Sequence, residues 1–180
     1  SQVQNINDAP TGTVTISGTA TEDQVLTASH TLGDEDGLGT VSWQWSRGGV
    51  AIGGATGATH TLTQADVGQR LTVTASYTDT PLNNSGTTES VTSTEISQVQ
   101  NINDAPTGTV TISGAATEDQ VLTASHTLAD EDGLGTVSWQ WSRGGVAIDG
   151  ATGATRTLTQ ADVGQGVTVT ASYTDTPLNN

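Results

Sequence analysis

The sequence is one unit written twice. Residues 1–84 align with residues 97–180 without a gap, at an offset of 96. The copies differ at six positions: Thr19/Ala115, Gly33/Ala129, Gly53/Asp149, His60/Arg156, Arg70/Gly166 and Leu71/Val167. A repeat of this length and fidelity points to a tandem array. A catalytic centre gains nothing from being copied this closely side by side, whereas a spacer or a polyvalent binder does. Two domains are expected, 1–96 and 97–180, with a linker at about 97–106. Asn180 is the counterpart of Asn84, so the second copy lacks the equivalent of Ser85–Ile96, which reads as the last strand of the unit. The natural protein is expected to continue beyond it.

Composition narrows the classes. The 180 residues contain no Cys, Met or Phe. A disulfide-stapled scaffold, a thiol nucleophile and a Cys-ligated zinc site are excluded. Four basic residues face nineteen acidic ones, for a formal charge of −15. A nucleic-acid partner needs a basic surface to displace counterions, so none is expected. No apolar run is long enough to cross a bilayer, and no signal-peptide pattern opens the chain, so no membrane insertion is expected. Apolar residues make up only 32%, yet Val, Ile, Thr and Trp recur in alternation, which a disordered chain would not show.

That alternation has the period of a strand. Within copy 1 it predicts strands at 13–17, 24–32, 40–46, 58–63, 71–77 and 89–96, with a short continuation at 50–52. Leu71, Val73, Ala75 and Tyr77 share one face, Thr72, Thr74 and Ser76 the other, as in an antiparallel sheet with one dry side. Val41, Trp43 and Trp45 also share a face. Burying one such large side chain stabilises by about 2–3 kcal/mol, so the tryptophans supply much of the core. The fold class is all-β: two tandem antiparallel β-sandwiches joined end to end.

Two resemblances follow. Trp-x-Trp with Arg-Gly-Gly after it, then Asp66-Val-Gly68 ahead of the strand at 71–77, resembles the immunoglobulin-like pattern. The cystine of that family is missing, and Arg70 or Gly166 stands where its corner Tyr would be. Asn5-Ile-Asn-Asp-Ala-Pro10 and Asn101-Ile-Asn-Asp-Ala-Pro106 resemble the interdomain segment of cadherins and bacterial cadherin-like repeats. The whole unit, through Ala-Thr-Gly-Ala-Thr and Thr-Gln-Ala-Asp-Val-Gly to Ser-Tyr-Thr-Asp, is similar to the extender repeats of giant bacterial RTX adhesins.

The acids sit mostly in turns and in the linker. With an immunoglobulin-like strand order, Glu22, Asp23 and Asp66 of copy 1 lie at the end that faces copy 2. Asp130, Asp132 and Asp175 of copy 2 lie at the end that faces copy 1, and Asn101, Asn103 and Asp104 lie between. An upstream half-site would use Asn5, Asn7, Asp8, Asp34, Asp36 and Asp79; a downstream one, Glu118, Asp119 and Asp162. Calcium takes about six to eight oxygen ligands, mixing carboxylate, amide and carbonyl. These residues supply all three, and hard oxygen donors disfavour zinc and copper. Magnesium prefers tighter octahedral geometry. Ca²⁺ is therefore the expected cofactor. Asp130-Glu-Asp-Gly133 is no EF-hand, because no Glu follows at the required distance.

Other residues have plainer readings. His30 and His126 are in phase with the apolar face of their strand and read as structural. His60 is replaced by Arg156, which argues against a shared function there. One tryptophan of each Trp-x-Trp pair could stack on a sugar, or simply pack. No nucleophile elbow is present, and Asp34 and Asp36 lie in one loop rather than across a cleft, so no enzyme is expected.

The adhesin resemblance implies an extracellular, secreted protein of the bacterial cell surface. Calcium would rigidify the interdomain linkers of a rod that projects a distal ligand-binding region. The partners would be neighbouring repeats of the same chain, which is itself expected to be a monomer. The alternative is a β-sandwich module that binds a carbohydrate or a host protein.

Overall fold

The computed structural model describes residue 3, residues 5–80 and residues 86–175. It divides into two compact units, and the chain passes from one to the other between Ile102 and Asn103. Unit 1 contains β1 (Val14–Ser17), β2 (Val25–His30), β3 (Ser42–Arg47), β4 (Val50–Ala51), β5 (Thr59–Thr61), β6 (Leu71–Thr78) and β7 (Thr88–Thr92). One 3₁₀ turn, Gln64–Asp66, precedes β6. All strand pairs are antiparallel, in two sheets ordered β1-β2-β5 and β4-β3-β6-β7.

Alternation decides which face each strand buries. In β6, Leu71, Val73, Ala75 and Tyr77 are buried. Trp43 and Trp45 of β3 pair in register with Ala75 and Val73. Trp45 is fully buried, and its indole N–H donates to the Gly57 carbonyl at 2.9 Å, which satisfies its one donor. Leu26 and Ala28 of the first sheet join Trp45, Leu71, Val73 and Ala75 of the second in one core. Two antiparallel sheets thus pack on a shared interior.

The predicted strands survive with trimmed ends. The largest trim falls at 89–96, where regular pairing stops at Thr92. There the N–H of Val73 donates to the Ser93 hydroxyl at 3.0 Å instead of to a carbonyl. The chain nevertheless follows β6 onward, with Ile96 N–H donating to Leu71 O at 3.1 Å. It then enters the groove between the turn after β1 and the turn before β6. Val99 bridges Val67, and Gln100 bridges Thr21, both in parallel sense. Four backbone hydrogen bonds fasten this strap: Gly68 N to Val99 O, Val99 N to Gln69 O, Gln100 N to Ala20 O, and Glu22 N to Gln100 O. Val99 is only 2% exposed. The residues expected to begin a linker therefore close the end of unit 1.

Unit 2 repeats the architecture with β8 (Val110–Ser113), β9 (Val121–His126), β10 (Ser138–Arg143), β11 (Val146–Ala147), β12 (Thr155–Thr157) and β13 (Val167–Ser172), and a 3₁₀ turn at Gln160–Asp162. Its sheets are ordered β8-β9-β12 and β11-β10-β13. No described residue pairs with the outer edge of β13. Val167 and Val169 are accordingly half-buried, where Leu71 and Val73 are fully buried.

Candidate metal centre

The Asp-Glu-Asp-Gly loop follows β2 and builds itself around Asp34. Asp36 N–H donates to Asp34 Oδ1 at 2.8 Å, and Gly37 N–H to the Asp34 carbonyl at 3.2 Å. Gly37 has φ +98°, and a Cβ there would lie 2.5 Å from Thr80 Oγ1, so the turn requires glycine. Tyr77, at the end of β6, donates its hydroxyl to Asp34 Oδ2 at 2.6 Å. Burial pushes the Tyr77 phenol upward, and the bond to the Asp34 carboxylate pushes it further, so it stays a donor.

The second carboxylate is the one turned to the incoming chain. Asp36 Oδ1 accepts from Asn5 Nδ2 at 2.6 Å, and Asp36 Oδ2 accepts the Asp8 N–H at 2.7 Å. Unit 2 reproduces the arrangement. Asp132 N–H donates to Asp130 Oδ1 at 2.9 Å, Tyr173 donates to Asp130 Oδ2 at 2.5 Å, and Asp132 Oδ2 accepts the Asp104 N–H at 2.7 Å. The hydrogen bond to Asp130, followed by burial, pushes the Tyr173 phenol up to about 12. Asp36 and Asp132 are both buried, and Asp104 is half-buried.

At the other end of unit 1, the strap orders Glu22. Its carboxylate is 2% exposed, and Oε2 accepts the Ile102 N–H at 3.3 Å. Its counterpart Glu118 is exposed. Beside it, Asn101 Oδ1 accepts from Gln64 Nε2 at 3.3 Å. Glu22, Asp104 and Asp132 are acids of the kind that ligate a hard metal ion.

Asp66 and Asp162 require a correction. They lie inside their own sandwiches, not at a domain end. Thr63 N–H and hydroxyl donate to Asp66 Oδ2 at 3.0 and 3.1 Å, His60 Nε2 lies 3.2 Å from the same oxygen, and Arg47 Nε lies 2.9 Å from Oδ1. Asp162 is held likewise by Thr159, Arg143 and Arg156. The replacement of His60 by Arg156 thus conserves a role, because both cations face the same buried carboxylate. Burial pushes the Asp162 carboxyl up, but the Thr159 N–H and hydroxyl and the Arg156 guanidinium outweigh it and hold it at about 2.

The remaining candidates divide by position. Asp23 and Asp119 are exposed and hold left-handed turns, at φ 61° and 64°. Asp79 is buried and accepts the Thr87 N–H. Asn7 reaches Glu89 Oε1 at 2.8 Å, and Asn103 reaches the Asp104 carbonyl at 3.1 Å. Asp175 is half-buried near the end of β13. Sequence reasoning missed Tyr77 and Tyr173 as loop anchors; their place two residues before Asp79 and Asp175 was the available signal. His30 and His126 pack against Trp43 and Trp139, with ring centroids 5.7 Å apart in each pair, and each Nδ1 accepts a backbone N–H.

Charge balance sets the acid loops apart. The basic side chains number four arginines and three histidines. Arg47, His60, Arg143 and Arg156 serve Asp66 and Asp162. Arg70 donates to the Ile96 carbonyl, and the other two histidines are in the aromatic pairs above. The donor set left at the acid loops is all oxygen, of mixed charge, which suits a hard divalent cation. The sequence matches no protein-family model and no curated protein.

Proposed function

We propose that the chain is an extender segment of a large bacterial surface adhesin, built from tandem immunoglobulin-like sandwiches whose linkers are stiffened by Ca²⁺. The observation that carries this reading is the deployment of charge. All seven basic side chains are engaged away from the acid loops, so a soluble cation is the available counter-charge for Glu22, Asp104, Asp130 and Asp132. Chain connectivity supports it as well. Glu22 is tied to Ile102 in unit 1, and Asp132 to Asp104 in unit 2. Ile102 and Asp104 are two residues apart, a span of at most about 7.6 Å.

An ion bound by these groups would replace mutual repulsion with shared coordination and fix the linker's few torsions. It would also favour the folded state by mass action, since it binds only the folded arrangement. In this reading the protein acts outside the cell, its immediate partners are neighbouring repeats, and catalysis has no part. No helix among the described residues is long and apolar enough to cross a membrane.

Calorimetric titration with Ca²⁺ tests the reading. Saturable binding is expected for the chain, weakened at least tenfold by Asp104→Ala combined with Asp132→Ala, with unchanged circular dichroism. No heat of binding at millimolar Ca²⁺ would reject it.

A further inference from the structure

We infer that the groove at the end of unit 2 accepts the segment Ser-Gln-Val-Gln-Asn-Ile of a second copy of this chain, so that copies associate head to tail. The groove is lined by Ala116, Thr117, Leu158, Val163, Gly164 and Gln165 and has a volume of about 350 Å³. Its counterpart in unit 1 is filled. There Ser97–Ile102, of that same sequence, lies in the groove and places Val99 against Val67. Val67 is 8% exposed beneath the strap, whereas its counterpart Val163 is 55% exposed.

The polar groups repeat the contrast. Gly68 N and the carbonyls of Ala20 and Gln69 are paired with the strap. Gly164 N and the carbonyls of Ala116 and Gln165 take no partner among the described residues. A strand laid in the groove would satisfy them and cover Val163, which is strand addition to an open edge.

The chain carries a second donor of this sequence, at 1–6. Val3 is 92% exposed and Ile6 82% exposed. Donor and acceptor are different surfaces of one chain, so the contact is heterologous and self-propagating rather than limited to a symmetric dimer. This departs from the monomer expected from sequence.

Sedimentation velocity across a concentration series tests it. The weight-average mass should rise with concentration through roughly twofold, the dimer ratio, and beyond, as an open heterologous contact requires. Val3→Asp, at an exposed position that leaves folding intact, should hold the chain monomeric, and Val163→Asp should do the same. An equimolar mixture of the two variants should recover a dimer that grows no further, since only one of its two contacts can form. Excess synthetic peptide Ser-Gln-Val-Gln-Asn-Ile should return the wild type to monomer. A mass that stays monomeric at every concentration would overturn the inference, and so would association that Val3→Asp leaves unchanged.

Discussion

A buried carboxylate in a chain with so few cations must recruit donors wherever they exist, and Asp66 and Asp162 do so. Removing such an acid leaves Arg47 and His60, or Arg143 and Arg156, facing one another around a vacated site. Asp66→Ala should therefore destabilise unit 1 by about 3 kcal/mol, the lower end for breaking a buried pair, because Arg47 is partly exposed. Urea denaturation measures this, and His60→Arg in the same assay should be tolerated, since copy 2 already carries that residue. The Asp162 carboxyl sits at about 2, below its unfolded value of about 3.9. Its contribution is full above about pH 4 and is lost as pH falls through about 2. The stability gap between wild type and Asp162→Asn should accordingly shrink across that window; a constant gap would contradict the assignment. Sequence showed these acids in a turn but not their depth. Asp-Val-Gly reads as a surface turn whether its carboxylate points out or in, and only the converging Arg and His, remote in sequence, decide the matter.

At the level of elements, periodicity was a sound guide to the strands, because one face of each is dry. It failed at the strap. Ser97–Ile102 runs directly into Asn-Asp-Ala-Pro, and a polar stretch with a single Val carries too weak an apolar signal to mark a strand. Its seat is formed by two turns of the preceding unit, which no local window can see. Val99→Ala should cost unit 1 about 2 kcal/mol, from the lost methyl burial and the gap left behind, while unit 2 keeps its own transition. Denaturation followed by fluorescence of Trp45 and Trp141 should resolve the two. The acid loop was legible as Asp-x-Asp-Gly; its anchor was not. Tyr77→Phe removes the phenol bond to Asp34 and should cost about 1 kcal/mol. It should also weaken any cation held by the loop, because Asp36 is positioned by the turn around Asp34.

For the whole molecule, the decisive property is mechanical. The two copies fold as separate compact units, and a few linker residues join them. With a net charge of −15, neighbouring units repel unless a cation intervenes. The account's central claim is that calcium restrains that linker. The most direct measurement is small-angle scattering of the dilute chain in excess Ca²⁺ and in chelator. A longer maximum dimension with a narrower distribution of shapes is expected with Ca²⁺, and that gain should vanish in the Asp104→Ala, Asp132→Ala variant. Superimposable profiles with and without Ca²⁺ would contradict the claim.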